Sequence, residues 1–387
     1  MLGFTLSEEQ LAIQKLAREF AEKEIKPVAT QFEEDEEGRL AEDIFKKAAE
    51  VGILGLPIPK EYGGSEASNV ECSIVLEELA VGCGGIATAI GASWFGQTPI
   101  MMAAATEQRQ RWFPPLTRDG NLCCMAMTEP AGGSDIENPH MHSRTIRTIL
   151  RPAGDDYILN GTKIWPSNST NAFLYTVVAT TDPRLGDDGS CLVLVPRGTP
   201  GLSWGKPIKK MGMDADMNSE IFFDNVKVPK ENLLGKVGDG AKLLQRTLIY
   251  NRAGAGAIAT GIARGAFEIA LKYAKERVVA GKPSIEHEII CAMFADMATE
   301  IEAARLLYLR AAWFNAQRGL ANMSWSTMAK VYASDVAMKV TSNAIQVMGS
   351  YGYSREVGVE KYLRDAKIMQ IYIGANELTR QVIGEAL

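Results

Sequence analysis

The spacing of apolar residues changes twice along this chain, and any fold must accommodate both changes. Over the first 120 or so residues the repeat is helical. Ser7 and Gln10 match a capping box, and Ile13, Leu16, Ala17, Phe20 and Ala21 follow at the spacing of one helix face. Further helices are predicted over Ala41–Val51 and near Val70–Ala80, separated by the breakers Pro57, Pro59 and Gly63-Gly64. The acidic run Glu33–Glu37 reads as a solvated connection. The middle of the chain then turns to β-type segments. Asn160-Gly161, inside Asp156–Trp165, predicts a hairpin, and Phe173–Thr181, Cys191–Pro196 and Ile221–Pro229 are rich in Val, Leu and Phe. Helical spacing returns near Gly240 and lasts to the end, with a small-residue stretch, Ala253–Ala266, suited to close helix packing. The expected organisation is an α+β multidomain protein divided into residues 1–120, 121–234 and 235–387.

A chain of 387 residues can bury a large core. Its net charge of −6 argues against nucleic acid, which needs a basic surface, but helix N-termini and backbone amides can still hold a nucleotide cofactor. The start MLGFTLSEEQ lacks a basic segment followed by an apolar one, and no apolar run is long enough to span a bilayer, so a cytoplasmic protein is expected. The six cysteines show no metal-type spacing, and His140, His142 and His287 are too scattered for a metal centre.

Five motifs carry the chemistry. Thr128-Glu-Pro-Ala-Gly-Gly133-Ser134-Asp135, preceded by Met127, combines a hydroxyl with glycines that let backbone amides approach a phosphate. Lys163-Ile-Trp165-Pro166-Ser167 follows; Trp165 alone would read as a core tryptophan. Arg277-Val-Val-Ala280-Gly281 and Gln346-Val-Met-Gly349-Ser350-Tyr-Gly352 come next, and Arg364-Asp-Ala-Lys-Ile-Met-Gln-Ile-Tyr-Ile373-Gly374 closes the series. In this order the motifs resemble those of the acyl-CoA dehydrogenase family over essentially the whole chain. The resemblance implies an N-terminal helical domain, a central β-barrel-like domain and a C-terminal four-helix bundle, assembled as a homotetramer. It also implies FAD as cofactor, an acyl-CoA substrate and an electron-transferring flavoprotein or similar acceptor. By the same resemblance, Met127, Thr128, Gly133, Ser134, Trp165, Ser167, Arg277, Gln346, Gly349 and Ser350 bind FAD, with Arg277 reaching across a subunit interface. Ser134, Tyr250, Asn251, Arg252, Ile373 and Gly374 lie on the substrate. Pro166, Ala280, Glu288 and Ser350 depart from the family pattern.

The larger departure is the missing base. The family takes the substrate α-proton with a Glu at the position of Ile373 or, in isovaleryl- and long-chain-type members, at that of Asn251. Neither residue here has an accessible proton-accepting step near neutral pH. A backbone N–H at 373 can still serve as an oxyanion donor, because it does not depend on the side chain. Tyr250, Asp214, Asp216 and Glu377 lie nearby by family position; the two aspartates read as a solvated loop and Glu377 as structural. The segment Gly85–Pro99 would form the acyl-pocket floor, and Gly91 stands where an acid would reach a distal ring carbon. The expected reaction is therefore dehydrogenation of an alicyclic or conjugated acyl-CoA of the cyclohex-1-ene-carboxyl type, by vinylogous loss of a proton and a hydride. The alternatives are a non-redox, desulfinase-like lyase, disfavoured because Ile86-Ala-Thr-Ala replaces the Arg such enzymes carry in the pocket floor, and a non-catalytic subunit of a hetero-oligomer.

Overall fold

A computed structural model describes residues 5–318 and 323–387; the first four residues of MLGFTLSEEQ lie outside the described residues. The first helix, α1 (Glu8–Phe20), opens with the predicted capping box: Ser7 Oγ accepts from the Gln10 amide at 3.2 Å, and the Gln10 side chain accepts from the Ser7 amide at 3.1 Å. Ala17, Phe20, Ala21 and Ile25 form its buried stripe, which runs on through a wider π-turn, Ala21–Ile25. Leu16 lies beside that stripe and is exposed, contrary to the predicted face. The acidic run is not simply solvated. Asp35 accepts from the amides of Arg39 and Leu40 at the start of α2 (Arg39–Glu50), Glu36 pairs with Lys209 at 2.6 Å, and Glu33 pairs with Arg355 and Arg364. Charge partners 173 to 331 residues away in sequence turn the run into a seam.

Helices α3 (Asn69–Gly82) and α4 (Gly84–Ala103) are buried on nearly all sides, and α5 (Thr106–Leu116) leads into the sheet. The strands are β1 (Cys123–Ala126), β2 (Ile149–Ala153), β3 (Asp156–Ile164), β4 (Leu174–Thr180), β5 (Ser190–Pro196), β6 (Leu202–Trp204), β7 (Glu220–Pro229) and β8 (Leu233–Leu234). Between β1 and β2 sits one helical turn, α6 (Ser134–Glu137). The sheet order is β6-β7-β3-β2-β4-β5-β8, with β1 added in parallel to β4. It is an open sheet with β6 and β8 at its two ends, so the barrel-like expectation is corrected.

The predicted Asn-Gly hairpin is also corrected. Asn160-Gly161 lies in the middle of β3, where the register against β7 slips between Leu159 and Gly161. Asn160 spends its side-chain oxygen on the Asn225 amide at 2.8 Å, and a Cβ at Gly161 would stand 2.7 Å from Thr148 Oγ1. The pair therefore marks a bulge and a close approach. The actual β2–β3 turn is Gly154-Asp155, with Gly154 at φ +64° and Ala153 paired with Asp156.

The C-terminal part consists of α7 (Gly240–Glu276), α8 (Glu288–Arg318), α9 (Met323–Met348), the short α10 (Ser350–Tyr353), α11 (Val359–Met369) and α12 (Asn376–Glu385). Helix α7 is its axis and packs on α9, α3, α8 and α4. The small-residue stretch makes that possible: a Cβ at Gly261 would come 2.3 Å from the Glu77 carbonyl on α3, and one at Gly256 would meet Ala329 on α9 at 3.2 Å. Buried Glu77 accepts from Arg264 on α7 and from Arg305 and Tyr308 on α8, which ties the N-terminal helices to the C-terminal ones. Among the described residues, no helix is long and apolar enough to cross a membrane.

Candidate functional site

A cavity of about 610 Å³ lies where α3, α4, the sheet, α7 and the turn between α11 and α12 meet. Its walls are mostly apolar, so the few polar groups on them decide what it can hold.

On the sheet side, Lys163 and Glu129 lock the first two motifs together. Lys163 is fully buried; its Nζ donates to Glu129 Oε1 at 2.8 Å and to the Met127 carbonyl at 2.9 Å. The Ile164 amide donates to the Thr128 carbonyl at 2.9 Å. This clamp presents Met127, Thr128, Gly133 and Ser134 on one wall and Trp165, Pro166 and Ser167 on the next. The Gly133 amide donates to Asp135 Oδ1 at 2.6 Å, so the nearest carboxylate engages it in this structure. Trp165 sits at φ +73° with its carbonyl held by Asn218 Nδ2 at 2.8 Å, and its ring is 51% exposed. A large aromatic face left open beside hydroxyls is suited to stacking a flat ring.

Ser167 Oγ donates to Asp216 Oδ2 at 2.8 Å. Asp216 is 5% exposed, so it is not part of a solvated loop, and burial pushes its carboxyl pKa up. Its other oxygen, Oδ1, is buried without a hydrogen-bond partner. Asp214, half-buried, faces Arg364 at 4.0 Å.

The opposite wall holds the substrate candidates. Asn251 Nδ2 donates to Thr98 Oγ1 at 3.0 Å and to the Thr247 carbonyl at 2.8 Å, which fixes the amide on the cavity wall. Burial pushes the Tyr250 hydroxyl above its ordinary range, so it is no base near neutrality. Gly91 lines the floor, and a Cβ there would meet Ile258 Cδ1 and Leu76 Cδ2 at 3.3 Å. Glu377 is exposed at the start of α12.

The turn after α11 is the most constrained part of the site. Ile373 has φ +50° and Gly374 φ +97°. A β-branched residue in the left-handed region is a genuine outlier, held only where its surroundings over-determine it. Two buried cations do so: Arg252 Nε donates to the Ile373 carbonyl at 3.1 Å, and Lys330 Nζ donates to the Gly374 carbonyl at 2.6 Å and to Asn376 Oδ1 at 2.8 Å. Ser134 Oγ accepts from the Ala375 amide at 3.3 Å, joining the turn to the first motif. With both carbonyls occupied by cations, the Ile373 amide is left without a hydrogen bond among the described residues.

Behind this turn stands Glu137, from α6. It is buried, lines the cavity, and lies 3.5 Å from Arg252 Nη2 through Oε2, which takes no hydrogen bond. Burial pushes its carboxyl up to about 7 against the pull of Arg252 and Lys330. Burial and the Arg252 charge lower the Lys330 ammonium to about 7. The sequence reading missed Glu137, Lys330 and the Lys163–Glu129 clamp. Glu137 lies two residues past the first motif, which was the one signal available.

Arg277, Gln346, Gly349 and Ser350 do not line the cavity. They are brought near one another instead: Tyr273, one turn before Arg277, packs on Tyr351 with ring centroids 6.0 Å apart. Val278, Val279, Tyr351 and Tyr353, close to them in sequence, are exposed. The two halves of the expected cofactor site are thus separate within one chain. An open indole face, the Thr128 and Ser167 hydroxyls and the unpaired Asp216 oxygen fit the polar-edged ring system of a flavin on the cavity half.

Matches to the acyl-CoA dehydrogenase N-terminal, middle and C-terminal domains span residues 7–120, 124–226 and 238–387, and the chain belongs to the acyl-CoA dehydrogenase family. It is 40% identical over 384 residues to cyclohex-1-ene-1-carbonyl-CoA dehydrogenase of Geobacter metallireducens, covering 99% of this chain and 98% of that one. It is 39% identical to the protein of the same name from Syntrophus aciditrophicus, over 99% of this chain and 90% of the relative. Among solved structures, butyryl-CoA dehydrogenase from Megasphaera elsdenii superposes with a TM-score of 0.92 at 36% identity, covering 100% of this chain and 99% of that one.

Proposed function

We propose that the protein dehydrogenates the CoA thioester of an alicyclic or conjugated acid, of the cyclohex-1-ene-1-carboxyl class. The observation that carries this is the clamped turn at Ile373–Gly374, whose free amide stands beside the apolar cavity although the side chain offers no base. A thioester carbonyl accepting from that amide gains stabilisation of the enolate that develops as a proton leaves. Arg252 and Lys330 hold the donor in place. The cavity walls keep water from the reacting carbons. FAD, when bound, supplies the hydride acceptor.

Thr128, Ser134, Trp165 and Ser167 would hold the ring end of that cofactor. Arg277, Gln346, Gly349 and Ser350 would hold the other end from a neighbouring copy. The exposed apolar patch around Arg277 supports assembly into a homotetramer. We also infer residues 1–120, 121–234 and 235–387 as the separate units, a cytoplasmic location, and an electron-transferring flavoprotein or similar acceptor. A non-catalytic subunit would have no use for a strained, doubly clamped turn, and that favours an enzyme. Anaerobic mixing of the flavin-loaded protein with a panel of CoA thioesters tests the proposal: cyclic enoyl-CoAs should bleach the flavin absorbance. A protein that cannot be loaded with FAD, or that bleaches with no member of the panel, refutes it.

A further inference from the structure

With no carboxylate at 251, 373 or 91, a proton acceptor must come from elsewhere on the cavity wall. Among the described residues only two carboxyl side chains line the cavity, Glu137 and Asp216. Asp216 accepts the Ser167 hydroxyl and stands on the Trp165 wall, so it faces the ring proposed to stack there. Glu137 faces the other way. Its Oε2 lies 3.0 Å from where a Cβ of Gly374 would stand, directly beside the turn that presents the Ile373 amide. The residue comes from α6, whose last carbonyl, that of Glu137, accepts from Gln245 Nε2 at 2.8 Å. The backbone that carries the carboxyl is therefore fixed, and Oε2 is enclosed beside Arg252 Nη2 at 3.5 Å. A nearly fully buried carboxyl on the wall of a ligand cavity, with a single cation beside it, is costly to keep and is expected where it meets a ligand.

We propose, resting on the acyl-CoA reading above, that Glu137 is the proton acceptor of this enzyme. The Glu137 carboxylate takes a proton from a substrate carbon. The electron pair of that C–H bond becomes part of the new carbon–carbon double bond. FAD, when bound, would supply the two-electron acceptor for the hydride lost from the other carbon. Glu137 then returns its proton to water as product departs. The charged groups around it are Arg252 from α7 and Lys330 from α9, and both favour the carboxylate over the acid. Arg252 therefore has two roles: it holds the turn and it draws its neighbour toward the ionised form against the effect of burial.

The test compares wild type, Glu137→Gln and Glu137→Asp, each loaded with FAD and checked for bound flavin and thermal midpoint. Two signals are followed anaerobically in D2O: bleaching of the flavin by a cyclic enoyl-CoA, and deuterium uptake into the thioester, read by mass spectrometry. Expected for Glu137→Gln is a roughly 10²–10⁴-fold loss of both signals, with substrate affinity within a few-fold of wild type. Glu137→Asp should recover part of the rate. In wild type the bleaching rate should rise with pH through about 7, and the break should move in Glu137→Asp. A Glu137→Gln protein that holds flavin and exchanges deuterium within threefold of wild type overturns the proposal. Wild-type exchange without bleaching that is lost in Glu137→Gln upholds Glu137 and refutes the redox reading. The absence of both signals in wild type refutes both.

Discussion

Replacing Ile373 by glutamate is expected to create ordinary α,β-dehydrogenation of saturated acyl-CoAs. The backbone already sits at φ +50°, and an unbranched side chain is easier to hold there than isoleucine, so the turn should survive the change. The Arg252 and Lys330 clamps act on carbonyls and do not see the side chain. Against this stands the partial burial of Ile373 beside the apolar cluster that includes Phe95 and Met101. A carboxyl placed there will have a raised pKa. Glu137, next door, gives the scale: it is pushed up to about 7. A new carboxyl with the same value would be about half ionised at pH 7 and about 90% ionised at pH 8, so incomplete ionisation costs little more than a factor of about two. A positioned general base contributes roughly 10²–10⁴-fold, which leaves a gain of about 10²-fold or more. The assay is anaerobic stopped-flow bleaching of bound FAD by butyryl-CoA at pH 7 and pH 8, with Asn251→Glu as the control that approaches from α7. If neither variant gains over wild type while both hold flavin and bind butyryl-CoA, the cavity and not the missing base blocks the ordinary reaction. The reasoning from Ile373 would then be wrong.

Gly374→Ala should destabilise the protein by about 2–4 kcal/mol in urea titrations, because its φ is +97° and a Cβ would stand 2.8–3.0 Å from Thr379, Arg252 and Glu137. Trp165→Ala should barely move the thermal midpoint, since the ring is 51% exposed, yet lower the flavin absorbance retained on gel filtration; full retention would remove Trp165 from the cofactor site. Glu77→Ala should cost about 3–5 kcal/mol by leaving Arg264 and Arg305 without their shared carboxylate. Burial works against the Glu77 carboxylate, but the two guanidiniums and Tyr308 outweigh it and hold its pKa below the usual range. Its stabilisation is therefore fully present above the ordinary carboxylate pKa of about 4.3 and is lost as pH falls through the lower folded value. The wild-type and Glu77→Ala urea midpoints should converge toward acid, and a constant gap would contradict this.

The helical, β, helical order was legible because hydrophobic period survives in sequence, and the Ser7 cap because its partner is three residues away. The hairpin at Asn160-Gly161 failed because Asn225 and Thr148, both distant in sequence, claim those residues for a bulge. The solvated reading of Glu33–Glu37 holds at Glu34, Glu36 and Glu37, which are exposed, and gives way only at Glu33 and Asp35, which are partly covered. The solvated-loop reading of Asp214–Asp216 failed because exposure depends on what folds over a segment, and here Ser167 and Arg364 arrive from elsewhere in the chain. Of the motif residues, Thr128, Ser134, Trp165, Ser167, Asn251 and Ile373 line the cavity. Glu137 had only its place two residues past the first motif to mark it, and its interest comes from facing Arg252 and the 373–374 turn.

That turn is also built so that main chain and side chain at 373 are uncoupled. Arg252 and Lys330 grip two successive carbonyls, so the direction of the amide is set whichever residue occupies the position. Carbonyl activation and proton removal become separable parts, one written into the backbone and its cations and the other into a replaceable side chain. A lineage with this scaffold can relocate its acid–base group by single substitutions, first losing it at one wall of the cavity and then recruiting it at another, without rebuilding the apparatus that polarises the thioester.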